Sequence, residues 1–294
     1  MRGPASVPEL RAARLAAAAL LASAALAGPA EAQRMRSLTS ARQLQGERRA
    51  EVVVKYGAGR LQVAPAAGDL LYRMELRYDD EEFRPVTEYD RAAGRLALGV
   101  ESRERGNHRH SRNRRRDAQH ATIALTPRIP IALDLSFGAG EADVALGGLA
   151  LEDVHLKTGA SETRVTFAAP NRIAARRVKV EAGAAELTVT GLGNTHAPRF
   201  EFSGGVGEST LDFSGQWTRS AMASIDMGVG SVRLRIPRAL GVKVTRDSFL
   251  ASFDASGLVR RGDAWYSRNY AQARYRLDIS VHAAVGSIEV DWID

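Results

Sequence analysis

The chain has 294 residues, 45% of them hydrophobic, which allows a substantial core and excludes a disordered polymer. It has no cysteine, which excludes disulfides, thiolate metal sites and a cysteine nucleophile. The net charge of +7 is unevenly spread, because residues 102–120 carry seven arginines against Glu104 and Asp117 and so contribute +5. The chain is therefore a near-neutral body with one basic loop.

The first 32 residues have the pattern of a signal peptide. A positively charged start is followed by an apolar run of 12 residues over 15–26 and by small residues at 30–32 that suit cleavage before Gln33. An uncleaved anchor is the alternative, although the run is shorter than the roughly 20 residues that span a bilayer. We expect an extracytoplasmic chain, whether periplasmic, secreted or on the cell surface, without a transmembrane segment after cleavage.

The next segments differ in their periodicity. Residues 33–49 are polar without an apolar period and are predicted to form a flexible leader. From Ala50 the pattern alternates with a period of two, and in "LLYRMELRY" (70–78) one face is apolar and the other wet. Residues 50–101 are therefore predicted to form a β-rich N-terminal unit with a turn at "DDEEF", before the basic loop at 102–120.

A glycine-containing octapeptide recurs from "FGAGEADV" at Phe137 to "AAVGSIEV" at Ala283, with further repeats starting at 158, 182, 204 and 227. The first five copies start 21 to 24 residues apart, in the range of solenoid repeats, and the patterns of leucine-rich and helical repeats are absent. We predict an all-β fold in which 121–294 form a single-stranded parallel β-solenoid with a C-terminal cap. An antiparallel sandwich is the alternative.

Each position of the octapeptide has a predicted role. The first glycine (Gly138, for example) should turn through positive φ where the chain bends into a strand. After the bend, the inward positions are Ala142 and Val144, Thr163 and Val165, Leu187 and Val189, Ser209 and Leu211, Val232 and Leu234, and Ile288 and Val290. The outward positions between them are Asp143, Arg164, Thr188, Thr210, Arg233 and Glu289. In a parallel stack these positions form ladders with a spacing of about 4.8 Å.

One outward position is acidic in four successive repeats, which hold Glu141, Glu162, Glu186 and Glu208. Stacked carboxylates would repel by about 1 kcal/mol at 5 Å in water, so a divalent cation or a sugar could exploit the column. The alternative is a solvated face on which Arg164 serves as counter-charge. Acidic pairs also cleave polysaccharides on β-helices, so a carbohydrate-active enzyme that uses Glu162 and Glu186 is a further hypothesis.

The basic loop is the second candidate site. Its clustered guanidinium groups could bind phosphates or sulfates of lipopolysaccharide or of acidic polysaccharide. The candidate polyanion-binding residues are Arg109, Arg112, Arg114, Arg115 and Arg116. A solvated insertion is the alternative. No aromatic residue interleaves with the arginines, which argues against specific nucleic-acid recognition.

Other motifs carry less chemistry. The Gly-x-Gly turns lack a third glycine and a following helix, which argues against a nucleotide cradle. The stretch from Glu152 to His155 could bind a metal, but a solvated turn is the favoured interpretation. We predict no cofactor and no enzymatic activity. At the C-terminal end, Leu277, Ile279 and Val281 indicate a closing strand, and the aromatic-rich stretch 263–277 is predicted to cover the open end of the solenoid.

Two stretches resemble a known family. "VKYGAGRLQVAP", "LLYRMELRYD" and "RPVTEYD" are similar to the N-terminal domain of bacterial toast-rack proteins. The ending resembles the C-terminal region of toast-rack and LiaF-like envelope proteins through Tyr266, Tyr270, Ala273, Leu277, Ile279, Gly286 and Ile288. The resemblance implies a right-handed β-solenoid outside the cytoplasm, an adhesin-like or envelope-stress role, and an envelope component or another protein as partner, with no catalytic residues to carry over. The lack of N-terminal transmembrane helices departs from the LiaF type.

Overall fold

The computed structural model describes residues 35–103 and 119–294. Within them almost every regular element is a β-strand, and one 3-10 turn lies at Leu192–Thr195. The strands are β1 (Met35–Gln43), β2 (Ala50–Pro65), β3 (Leu70–Asp79), β4 (Phe83–Asp90), β5 (Arg95–Ser102), β6 (His120–Leu125), β7 (Ile131–Ala145), β8 (Leu151–Thr166), β9 (Arg177–Thr190), β10 (Arg199–Asp212), β11 (Ala221–Pro237), β12 (Gly241–Asp254), β13 (Leu258–Arg261), β14 (Ala264–Ser267) and β15 (Arg276–Ile293).

Eight long strands form one parallel ladder in the order β2-β7-β8-β9-β10-β11-β15-β12, and we call each of them a rung. Equivalent positions pair along it, such as Gly59 with Gly140 and Gly230 with Gly286. This confirms the all-β class and the parallel stacking, whereas the handedness stays a prediction. Two rungs, β2 and β12, were not recognised as repeats, so the N-terminal unit supplies the first rung of the same ladder.

The core lies under the inward positions that the octapeptide predicts. The second inward position of the six repeats is buried throughout, from Val165 and Leu211 at 0% exposure to Val290 at 4%. At the first inward position only Ser209 is half-buried rather than buried. Each fully buried Val or Leu contributes about 1.5–3 kcal/mol relative to an exposed one, so these columns account for much of the stability.

The two glycines at the bend have different roles, and this corrects the assignment of positive φ to the first. The first has an ordinary φ, but a Cβ on Gly138 would lie 2.1 Å from the carbonyl oxygen of Gly57 on the next rung. Where the second position is glycine, it takes the left-handed conformation, as in Gly140 (φ 115°) and Gly230 (φ 144°). On β8 and β9 this position holds Ser161 and Ala185, which do not have positive φ. The first glycine therefore permits close backbone approach, and positive φ belongs to the second position only on the rungs that have glycine there.

The N-terminal end of the ladder is covered by other strands. The first half of β2 pairs with β5, its second half pairs with β6, and β6 continues through β3 to β1. The predicted flexible leader is wrong over Met35–Gln43, because this segment is β1 and pairs antiparallel with β3. As an edge strand that packs on one side only, β1 tolerates a polar sequence that shows no clear apolar period.

At the other end, β14 pairs antiparallel with Lys243–Thr245 of β12, and β13 pairs with β14. The aromatic-rich stretch thus lies against the first half of β12. Its Tyr270 hydroxyl donates to Asp278 on the neighbouring strand β15 at 2.8 Å. β15 follows β14 in the chain but lies between β11 and β12.

We expect Gly230→Ala to destabilise the protein by about 2–4 kcal/mol, because the new Cβ would combine left-handed strain with a backbone clash. That Cβ would lie 1.8 Å from the carbonyl oxygen of Gly207. Gly68→Ala is the matched control, since Gly68 also has positive φ (68°) but nothing lies within 4 Å of its Cβ position. Urea unfolding should show a clearly smaller loss for the control. Equal losses for the two variants would contradict the clash.

Candidate functional site

The outer face of the second strand halves carries the acidic column. The register places Glu141 beside Glu162, Glu162 beside Glu186, and Glu186 beside Glu208 on four adjacent rungs. All four side chains are exposed. The ladder thus produces the predicted column, as a row of solvated carboxylates on a flat surface.

Among the described residues, direct ion pairs to the acidic column occur at one end of it. Arg60, which occupies the same position on β2, pairs with Glu141 at 2.5 Å, and Arg164 approaches Glu162 at 3.6 Å. Glu186 and Glu208 have no ion pair within the described part of the chain. Residues 35–103 and 119–294 contain no group of three or more acidic or histidine side chains positioned to hold a metal ion. Cation binding by the column therefore stays a prediction.

The outer face of the first strand halves holds a second charged cluster around His155. Its imidazole lies between Asp134 on β7 at 3.3 Å and Glu181 on β9 at 3.1 Å. Lys179 and Lys157 both contact Glu181. Asp134, His155 and Lys179 occupy one ladder position on β7, β8 and β9, and Lys157 and Glu181 occupy another on β8 and β9. The register therefore assembles the cluster.

The stretch from Glu152 to His155 is not a turn, because it lies within β8. Its polar side chains point to different partners: Glu152 accepts from Arg49 at 2.6 Å, and Asp153 accepts from Arg177 at 3.3 Å. The three candidate ligands therefore do not converge, and arginines occupy two of them.

Glu181 has the strongest electrostatic perturbation among these outward carboxylates. The hydrogen bond from Lys179, with further contributions from His155 and Lys157, lowers the pKa of Glu181 from 4.5 to about 2. A depressed carboxylate pKa favours the folded state above the unfolded pKa and loses that contribution as the pH falls towards the folded pKa. The affected window is therefore pH 4.5 to about 2.

We expect Glu181→Gln to flatten the fall in unfolding free energy between pH 5 and pH 2, because the variant cannot titrate there. Urea unfolding at a series of pH values measures the slope. Glu186→Gln is the control, since this exposed carboxylate lacks an ion pair among the described residues. Parallel slopes for the wild type and Glu181→Gln would contradict the assignment.

An open groove of about 740 Å³ crosses the outer face of β9, β10, β11, β15 and β12, and no sequence pattern predicts it. Arg199 and Lys243 line it together with the exposed Met222 and the hydroxyls of Ser224 and Ser280. The groove was missed because β12 lacks the glycine motif, so Lys243 could not be assigned to a column before the register was known.

The candidate polyanion-binding residues Arg109, Arg112, Arg114, Arg115 and Arg116 lie outside the described residues, as does the predicted signal peptide. The basic stretch connects β5 to β6, both of which pair with β2. Among the described residues, no helix has the length and apolar character needed to cross a bilayer.

The described part of the chain is thus built around a ladder of parallel β-strands whose charged side chains lie in columns on its outer face. The model of the N-terminal domain of toast_rack, DUF2154, matches residues 30–190 and 177–235. The chain therefore belongs to the toast-rack family, as the resemblance implied. No curated protein matches the chain.

One solved structure shares the fold at low sequence identity, and a second is similar at a lower level. A candidate cell adhesion protein from Clostridium sporogenes is 17% identical, with a TM-score of 0.50 over 88% of this chain and 100% of the other. A candidate adhesin from Bacteroides fragilis is 12% identical, with a TM-score of 0.38 over 87% and 97% of the two chains. At 17% identity, the similarity to the Clostridium sporogenes protein concerns the fold alone.

Proposed function

We propose that the protein is an exported, non-enzymatic, adhesin-like ladder that contacts polymers of the cell envelope or cell surface through its outward columns. The observation that carries this proposal is the linear arrangement of polar groups. The acidic column extends over four adjacent rungs without a break. A row of equivalent acceptors suits a long, repetitive ligand better than a compact substrate.

Two further observations support the proposal. The toast-rack family and the fold shared with a candidate cell adhesion protein favour a contact role over catalysis. The N-terminal sequence favours export, because it has the charged start, short apolar run and small residues of a signal peptide. Envelope-stress sensing of the LiaF-like kind is a narrower form of the same proposal, in which the bound polymer reports the state of the envelope.

The test is binding of the chain from Gln33 onward to immobilised peptidoglycan, lipopolysaccharide and heparin. We expect the quadruple variant Glu141→Gln, Glu162→Gln, Glu186→Gln and Glu208→Gln to bind its polymer at least about tenfold more weakly, because charge-assisted hydrogen bonds from polymer hydroxyls or amides to the carboxylates are lost. Simple charge attraction predicts the opposite sign for heparin and lipopolysaccharide, since the variant is less negative.

The matched control changes four carboxylates on β2 to β5, away from both the acidic column and the groove: Glu51→Gln, Glu75→Gln, Glu88→Gln and Glu101→Gln. It alters the net charge by the same amount and leaves the acidic column intact. Equal weakening by both variants, or no binding to any polymer, would contradict contact through the column. Hydrolysis of a polysaccharide that disappears in Glu162→Gln, Glu186→Gln would instead establish a carbohydrate-active enzyme.

A second candidate function is polyanion binding through residues 103–116, which the concentration of positive charge favours. We expect replacement of 103–116 by a Gly/Ser linker of equal length to abolish salt-sensitive binding to heparin and lipopolysaccharide. Circular dichroism verifies that the ladder persists. Unchanged binding after the replacement would remove Arg109, Arg112, Arg114, Arg115 and Arg116 from the function.

A further inference from the structure

Four exposed aliphatic side chains form a continuous row on the outside of the bend. Six large apolar side chains are exposed in the described part of the chain, and four of them occupy one ladder position on adjacent rungs. We call this row the apolar ridge; it consists of Val206 (57% exposed), Val229 (48%), Val285 (42%) and Leu250 (65%). Such a concentration of exposed apolar surface marks an interaction site.

The other four rungs provide an internal comparison. At the ridge position they hold only alanine: Ala58, Ala139, Ala160 and Ala184. The bend therefore does not require a large aliphatic side chain, since the same geometry forms with a methyl group. The ridge is an addition to the fold and not part of its core.

The column of the acidic residues, which lies beside the ridge, changes from glutamate to serine between β10 and β11. It is acidic from β7 to β10, but on the last three rungs of the ladder it holds Ser231, Ser287 and Ser252. Large apolar side chains and loss of charge thus coincide on β11, β15 and β12. An uncharged column beside exposed apolar residues resembles the centre of a protein interface. Charged columns bound it on both sides, and they hold Arg233, Glu289 and Asp254 on one side and Asp226, His282 and Asp247 on the other.

The ridge ends on an unpaired strand edge. One side of β12 pairs with β15 along its whole length. On the other side β14 pairs with β12 only as far as Thr245, so on that side residues 246–254 have no strand partner among the described residues. Leu250 lies at the middle of this free stretch and is the most exposed member of the ridge. The Ala251 carbonyl in this stretch accepts a hydrogen bond from the Arg246 side chain at 3.3 Å, which a pairing strand would have to displace or accommodate. An edge without a strand partner is a template for another strand.

We propose that this edge binds a second molecule of the same chain, with the two β12 strands antiparallel and Leu250 close to the twofold axis. In this arrangement residue 246 of one molecule lies opposite Asp254 of the other. Because β12 ends at Asp254, it stops before Lys243–Thr245 of the other molecule, which are already paired with that molecule's own β14. The free stretch therefore has the right length to pair with a second copy of itself. The pairing joins two four-residue ridges into one eight-residue apolar row on a continuous sheet.

The strand edge is needed because the ridge alone is too small. A stable interface buries about 800 Å² on each partner, which four aliphatic side chains cannot supply. Backbone pairing over the free stretch adds directional hydrogen bonds and fixes the register. The symmetric arrangement also closes after two molecules, so it does not extend into a filament.

The test uses opposite charges at the axis. We expect the chain from Gln33 onward to sediment as a dimer at about 10–100 µM. Leu250→Asp and Leu250→Lys should each sediment as monomers, because each places two like charges against one another across the axis. An equimolar mixture should recover a dimer, since the charges are then opposite.

Ala160→Asp is the matched control, because it introduces the same charge at the same ladder position on β8, away from the free edge, and should leave the dimer intact. Hydrogen exchange should show concentration-dependent protection of the amides of 246–254 in the wild type. A monomeric wild type, a dimer that persists in Leu250→Asp, or a mixture that stays monomeric would each overturn the proposal. Leu250 is exposed in the monomer, so its replacement leaves the core untouched.

Discussion

The register of the rungs from β2 to β11 depends on direct backbone contact at the bend, whereas Ala284 on β15 and Phe249 on β12 carry a side chain at that position. Gly138 lies so close to the carbonyl of Gly57, and Gly159 so close to that of Gly138, that no side chain fits between them. A slip of one residue would push a Cβ into that space and would turn the inward side chains outward. The absence of a side chain at one position therefore fixes the register, and the register assembles every column on the surface.

That dependence explains what could be predicted from the sequence. The glycine spacing and the alternation after it identify six rungs, their buried positions and the neighbours in the acidic column. The same reasoning missed β12, where Phe249, Leu250 and Ala251 stand in place of Gly-x-Gly, so its membership follows only from pairing with β15. It also missed β1, whose polar edge sequence has no periodic signal. The His155 cluster joins residues 21 and 26 positions apart, which only the register brings together.

The surface chemistry changes along the stack while the core does not. The rungs near β7 present carboxylates beside alanine, and the rungs near β12 present serine beside valine or leucine. A single repeating backbone therefore carries two different kinds of surface. The charged part suits hydrated polymers, and the apolar part suits a protein surface, so the two roles need not compete for the same residues.

The position of β15 affects how the chain reaches its native state. β15 is synthesised after β12, β13 and β14, yet it lies between β11 and β12. During synthesis from the N-terminus, β12 has no parallel neighbour until β15 has been made, because β15 is the strand that pairs with β11. Until then β12, β13 and β14 are not attached to the rest of the ladder. Completion of the ladder is thus a late, long-range step, of the kind that slows folding and leaves strand edges exposed to other chains in the meantime.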